Sequence, residues 1–190
     1  VVKYFPDVRV LEYYSYEAYG NDVNNTSLLE GYQISCNFLA NDTSLSTDVY
    51  LADIERKSTE TVYYFDYVVD NLPVSLSVAL QDRIGSKHAI EVTVRNQRVK
   101  KYHRYVVNYE STGKQDMELN VQFIDALDDA NKTYQKTVEE KVITDVKNIS
   151  LGYYVELSGD IGLKWFVTLY DYLFVTETHT DALAAMNNIS

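Results

Sequence analysis

Apolar and polar residues alternate one for one in three separate stretches of this chain, and no other feature limits the fold as much. Val74, Leu76, Val78 and Leu80 alternate with Ser75, Ser77 and Ala79; Ile90, Val92 and Val94 alternate with Glu91, Thr93 and Arg95. Met117, Leu119, Val121 and Phe123 alternate with Glu118, Asn120 and Gln122. Successive side chains of a strand point to opposite faces, so a period of two marks a strand with one buried and one solvated side. Further strands are predicted over residues 8–19, 32–40, 48–54, 61–69, 101–109, 152–157 and 163–175, all rich in Tyr, Val, Phe and Thr. About ten strands parted by short polar breaks predict an all-β fold, an antiparallel β-sandwich or jelly-roll-like domain.

The breaks use Asn and Asp where many chains use glycine, since there are only 7 Gly and 2 Pro. Asn21-Asp22, Asn41-Asp42, Asp70-Asn71 and Asp128-Asp129 are the turn candidates, because these side chains hydrogen-bond their own backbone and tolerate left-handed conformations. Gly85, Gly113 and Gly159 supply three more. No linker, low-complexity tract or internal repeat stands out, so a single β domain over 1–190 is expected, with two small sandwiches split near 111–115 as the alternative. Residues 134–149 fit both a helical and a strand period, and their β-branched content favours a strand. Thr180 or Asp181 could cap a short C-terminal helix.

A composition of 46% hydrophobic residues over 190 positions suits a folded core. The net charge of −11 repels phosphate backbones and anionic lipid, so neither nucleic acid nor a membrane surface is an expected partner. The most apolar stretch, 153–175, is interrupted by Glu156, Asp160, Lys164 and Asp171, so no membrane insertion of the mature chain is expected. The chain opens at Val1 without the charged start and apolar run of a leader, and a leader already removed is the expectation. Cys36 is the single cysteine, so no internal disulfide forms; in the alternating run Tyr32, Ile34, Cys36, Phe38 it reads as a buried, unreactive thiol.

Six glycosylation sequons begin at Asn24, Asn25, Asn41, Asn131, Asn148 and Asn188, where composition alone gives about two. They point to an extracellular or surface-exposed setting and to glycans as partners. Arg95, Arg98, Lys100, Lys101 and Arg104 gather five basic residues into ten positions of an acidic protein, a patch suited to an acidic region on a neighbouring copy. The 18 tyrosines include the cluster Tyr13, Tyr14 and Tyr16, whose members face both sides of a strand, so part of it lies outside the core or in an interface, with a cross-strand aromatic ladder as the alternative. No nucleophile elbow, phosphate loop, dinucleotide fingerprint or zinc-binding helix is present, so no catalytic residue and no cofactor is expected. Asp125, Asp128 and Asp129 are the calcium candidates, although their spacing is not that of an EF-hand and an ordinary acidic turn is the simpler reading.

The segment 157–169, Leu-Ser-Gly-Asp-Ile-Gly-Leu-Lys-Trp-Phe-Val-Thr-Leu, resembles a Gly-Asp-Ile-Gly plus aromatic strand motif that recurs in secreted Gram-positive surface proteins. It carries no family assignment, and locally it reads as a turn between two strands. Taken together, these features predict a structural subunit of an extracellular assembly (filament, tube, surface layer or virion shell), a homo-oligomer or polymer held by strand exchange and charge complementarity. The run 1–19 is the segment nominated for insertion into a neighbour. A monomeric adhesion or carbohydrate-binding module and a secreted carbohydrate-active hydrolase are the alternatives.

Overall fold

The computed structural model describes residues 1–16, 24–107, 109, 121–138 and 145–178. The chain divides into two units: Val1–Glu110 with Val155–Asp160, and Ser111–Tyr154 with Ile161–Ser190.

The first unit runs β1 (Val2–Phe5), β2 (Val10–Tyr14), α1 (Leu28–Ala40), β3 (Val49–Arg56), β4 (Thr61–Val69), β5 (Leu72–Leu76), α2 (Val78–Ile84), β6 (Ile90–Arg95) and β7 (Arg98–Tyr105). Its sheet has the order β1-β2-β7-β6-β4-β3 with every neighbouring pair antiparallel, and β5 folds back on the end of β4. Two hairpins are closed by two residues each. Asp70-Asn71 joins β4 to β5 and Asn96-Gln97 joins β6 to β7, with all four φ angles between 48° and 62°. Two left-handed residues in a row give the turn whose twist matches the flanking strands, which is why Asn and Asp dominate there.

One face of this sheet is closed by α1, which packs on β4, β6 and β7. Tyr63, Phe65 and Tyr67 of β4 and Ile90, Val92 and Val94 of β6 are at most 2% exposed; burial of each such side chain contributes roughly 1.5–3 kcal/mol. The helix approaches closely because Gly31 lies over Tyr63, whose hydroxyl donates to the Leu28 carbonyl at 2.9 Å. Tyr32 stacks on Phe65 with ring centroids 6.4 Å apart.

Where the sequence predicts a strand over 32–40, the structure has α1. The alternation of Tyr32, Ile34, Cys36 and Phe38 is overridden by a cap: Ser27 accepts a hydrogen bond from the Glu30 N–H, and Ser27 with Glu30 three positions on is a helix-start pair. Cys36 is accordingly a half-buried helical residue rather than a buried strand residue. The alternating run 74–80 is likewise split. After Leu76, Ser77 caps α2, which ends at Gly85 in a left-handed conformation.

In the second unit α3 (Phe123–Val138) is followed by β8 (Val146–Val155), β9 (Ile161–Leu169) and β10 (Tyr172–Glu177). β10 pairs antiparallel with β9, and β8 is the neighbour of β9 on the other side. Helix α3 sits on β9 and β10 through Ala126, Ala130 and Tyr134, one residue per turn, against Val167 and Leu169. The two alanines, both 0% exposed, let the helix approach, and the Tyr134 ring meets those of Tyr170, Tyr172 and Phe174 at 5.4, 5.7 and 6.3 Å. Trp165 donates its indole N–H to the Val121 carbonyl at 3.0 Å.

Here too the sequence expectation is corrected. The residues 134–138 continue a helix rather than a strand, and the run ending at Phe123 gives way to α3. The predicted strand 163–175 is broken by the turn Tyr170-Asp171, while 156–160 is the turn between β8 and β9 that the Gly-Asp-Ile-Gly segment suggests. The mainly β reading holds, but three helices replace the all-β expectation and the strands form an open mixed sheet rather than a sandwich or jelly roll. Each unit faces its sheet with a helix, α1 started by the Ser27 cap and α3 carrying an apolar stripe one residue per turn. Both units also repeat one element order, helix followed by three strands, with the last two strands joined by two residues. No sequence likeness announces this repeat. Residues 117–120, the proposed C-terminal helix and Asn188 lie outside the described residues.

Candidate functional site

β1, Val2–Phe5, is an outer strand of the sheet. Pro6 ends β1 and Arg9, at φ 54°, reverses the chain so that β2 returns with Phe5 opposite Val10 and Val2 opposite Tyr13. The run nominated for insertion into a neighbour is therefore paired within its own sheet over 2–14, with β2 in turn on β7. Every residue of β1 is exposed: Val2 to 65%, Tyr4 to 53% and Phe5 to 41%.

Because α1 covers β4, β6 and β7, no helix among the described residues lies on the same face of β1 and β2, and a groove of about 560 Å³ opens there. Val2, Leu11, Tyr13 and Tyr102 form its floor, Ile34 and Phe38 of α1 its wall, and Asn41, Asp42 and Arg98 contribute polar groups. Tyr13 and Tyr102 meet Phe38 with ring centroids at 5.7 and 5.1 Å.

One end of the groove is held by a buried cation. Arg104, 1% exposed, donates to Asp42 Oδ2 at 2.7 Å and to the Ser44 hydroxyl at 2.9 Å, and Tyr102 donates its hydroxyl to the same Asp42 oxygen at 2.8 Å. Burial pushes the Asp42 carboxyl up, but hydrogen bonds from Ser44 and Tyr102 and the Arg104 charge outweigh it and hold Asp42 below its ordinary value. Burial pushes the Tyr102 hydroxyl up, so it remains a donor.

On the opposite face, Asp66 accepts the Ala89 N–H at 2.9 Å and holds His88 Nδ1 at 2.8 Å, with the Tyr64 ring 5.0 Å from the imidazole. The hydrogen bond to Asp66 raises the His88 pKa against the opposing effect of burial. A carboxylate-oriented imidazole is half of an acid–base apparatus. The Ser86 hydroxyl, however, is committed to the His88 backbone at 2.8 and 3.1 Å, so it is not positioned as a nucleophile.

The residues singled out from sequence are dispersed. Of the basic group, Lys100 pairs with Glu60 at 2.7 Å and Lys101 with Glu91 at 3.9 Å, while Arg104 is buried and offers no charge to a neighbour. Arg95 and Arg98 flank the Asn96-Gln97 turn. Tyr13 lines the groove, Tyr14 lies on the other face beside Glu12, and Tyr16 is 75% exposed. Asp125, Asp128 and Asp129 are on α3 rather than in a turn. Asp125 accepts the Gln122 N–H, and Asp128 and Asp129 pair with Lys132 at 2.7 and 3.5 Å. Among the described residues no acid, His or Cys cluster is arranged to hold a metal.

Of the sequons, Asn24 is 6% exposed. It gives its amide to Thr61 and accepts from the Thr26 and Asn96 N–H groups, so it works as a loop lock. Asn25 and Asn148 are exposed, as is Asn41 at the groove, whereas Asn131 has its carbonyl oxygen buried in α3.

Sequence reading missed β1 as a separate strand, although Pro6-Asp7 after five β-forming or flexible residues is a turn signal. It also missed the Asp66–His88 pair, for which a separation of 22 positions leaves no local sign. No helix among the described residues is long and apolar enough to cross a membrane.

No protein-family model matches the sequence, and no curated protein matches it. Among solved structures, YycH from Bacillus subtilis is similar with a TM-score of 0.52 and 15% identity, over 92% of this chain and 41% of YycH. The chain thus spans well under half the length of that protein. The C-terminal domain of YpeB from Bacillus megaterium gives a TM-score of 0.48 and 9% identity over 93% of this chain and 81% of that domain. The likeness to YycH is one of fold alone.

Proposed function

We propose that this chain is a non-catalytic protein-binding module that works outside the cytosol and takes an extended segment of a partner along β1. The observation that carries the reading is the outer strand itself, exposed on both faces, with Val2, Tyr4 and Phe5 apolar around Lys3 and with a groove beside it. Lys3 and Pro6 supply the charge and the proline that commonly blunt such an edge, but Val2, Tyr4 and Phe5 keep most of it apolar, and its unpaired outer side is a place for another strand to add. The sequon excess supports the extracytoplasmic setting, with Asn25, Asn41 and Asn148 exposed.

Self-assembly into a surface structure is the second reading. The same edge favours it, now by addition of strands between copies rather than by exchange of the N-terminal run. Sedimentation and negative-stain microscopy of the chain beside Tyr4→Pro separate the two. A monomer whose β1 and β2 amides shift when extended peptides are added supports the binding module. Ordered polymers that Tyr4→Pro dissolves would replace it with the subunit reading.

A further inference from the structure

We propose that the segment received by β1 carries an acidic residue opposite Lys3, with an apolar residue on each side, and belongs to a different protein rather than to a second copy of this chain. The inference rests on the binding reading above and specifies the chemistry of the partner.

The hydrogen-bond phase of the β1–β2 hairpin sets the register. Val1 N donates to Tyr14 O at 2.7 Å and Tyr14 N to Val1 O at 2.9 Å, so Val1 and Tyr14 are a hydrogen-bonded pair. Antiparallel pairs alternate, so Lys3 and Phe5 also turn their backbone groups towards β2. Val2 and Tyr4 therefore turn their N–H and C=O outward. The side chains of Val2 and Tyr4 share the groove face, while Lys3 and Phe5 stand on the other face. A helix laid in the groove would cover Val2 but leave the backbone edge and Phe5 open; an added strand covers all three.

Charge identifies the residue at the centre of that strand. Across the sheet the register places Lys3, Glu12, His103 and Glu91 side by side in one row. Among the described residues none stands beyond Lys3 in this row, and an acid there would face Lys3 across a closely spaced non-hydrogen-bonded pair. A second copy meets the opposite situation. Two symmetric antiparallel overlaps of β1 with itself keep the outward residues in phase: the one centred on Lys3 places Lys3 directly opposite Lys3, where like charges are unfavourable, and the one centred on Tyr4 sets Lys3 against Phe5, so neither offers Lys3 an acid. A net charge of −11 on each copy adds to the repulsion.

The test uses the full chain and three capped heptapeptides, Ser-Thr-Val-X-Val-Thr-Ser, with X as Glu, Gln or Lys, titrated at low salt with amide shifts in β1 and β2 as the readout. The Glu peptide is expected to bind about three- to tenfold more tightly than the Lys peptide. Lys3→Glu reverses that order, and Tyr4→Pro removes binding of all three. The Tyr4 N–H has no partner inside the sheet, so proline there blocks the edge without breaking a ladder bond. Equal affinities for the three peptides would overturn the acidic-residue inference and leave the binding module standing. No shift with any peptide would overturn both. A dimer of the free chain that Tyr4→Pro dissociates would overturn the heterologous partner in favour of a second copy.

Discussion

Gly31→Ala reverses the usual effect of such a change. In an exposed helix interior it stabilises by about 1 kcal/mol, because alanine is the better helix former. Here the added Cβ would lie 2.2 Å from the Tyr63 hydroxyl oxygen and 2.8 Å from Cζ. Tyr63 is 0% exposed and held by its bond to Leu28 O, so the ring has little room to withdraw. Overpacking of this kind costs roughly 2–3 kcal/mol, which leaves a net loss of about 1–2 kcal/mol once the helix gain is subtracted. That corresponds to a fall in Tm of about 3–6 °C for a chain of this size. Tyr63→Phe removes the colliding oxygen and one hydrogen bond, for about 1 kcal/mol by itself. The double variant should then lose at least about 1 kcal/mol less than the sum of the single losses. Urea titration followed by amide resonances of β4 and β6 reads the strands that α1 covers. A Gly31→Ala protein more stable than the parent, or an additive cycle, would refute the close approach of α1 to Tyr63.

The Asp66–His88 pair predicts a stability that declines towards alkaline pH. His88 has its folded pKa raised, so the contribution is fully present below its unfolded value of about 6.5 and disappears as pH rises through the folded value. Denaturation at pH 6 and pH 8.5 should show this slope, His88→Gln should flatten it, and an unchanged slope would discount the pair. Arg104→Leu strips the half-buried Asp42 carboxylate of its cation and should cost up to about 3 kcal/mol at neutral pH, the low end for a buried pair, read as a fall in Tm. Since the Asp42 pKa is lowered, its contribution is present above the unfolded value and lost as pH falls through the folded one. The Arg104→Leu chain should lose part of that acid dependence and keep the part due to the Ser44 and Tyr102 hydrogen bonds, and a variant as stable as the parent would refute the role given to the ion pair.

Strands whose pattern and turn chemistry agree were legible in the sequence. Residues 61–69 and 90–95 read as strands and are β4 and β6, and Asp70-Asn71 reads as a turn and closes a hairpin. Where pattern and capping disagree, capping wins. Tyr32, Ile34, Cys36 and Phe38 alternate perfectly, yet Ser27 with Glu30 starts a helix whose Tyr32 and Gly31 meet β4. In α3 the decisive stripe is Ala126, Ala130, Tyr134, and alanines are easily passed over when only large apolar residues are counted. The groove was not legible at all. It arises because α1 covers three strands of a wider sheet, and which strands those are depends on a register that no local signal records. The same holds for Arg104, which sequence reading assigns to a basic surface and which is buried because Asp42, 62 positions away, meets it.

The two-residue turns have a chemical consequence beyond their geometry. Asn-Gly is the pair best suited to such hairpins, and it is also the sequence in which an asparagine side chain most readily cyclises onto the next peptide nitrogen and converts to isoaspartate. The chain contains no Asn-Gly; its hairpins use Asp70-Asn71-Leu72 and Asn96-Gln97-Arg98, where the following side chain obstructs ring closure. Each turn gives up some conformational ease and gains resistance to ageing, so the hairpins that fix the register of β4 and β7 should keep their covalent backbone through long service without replacement.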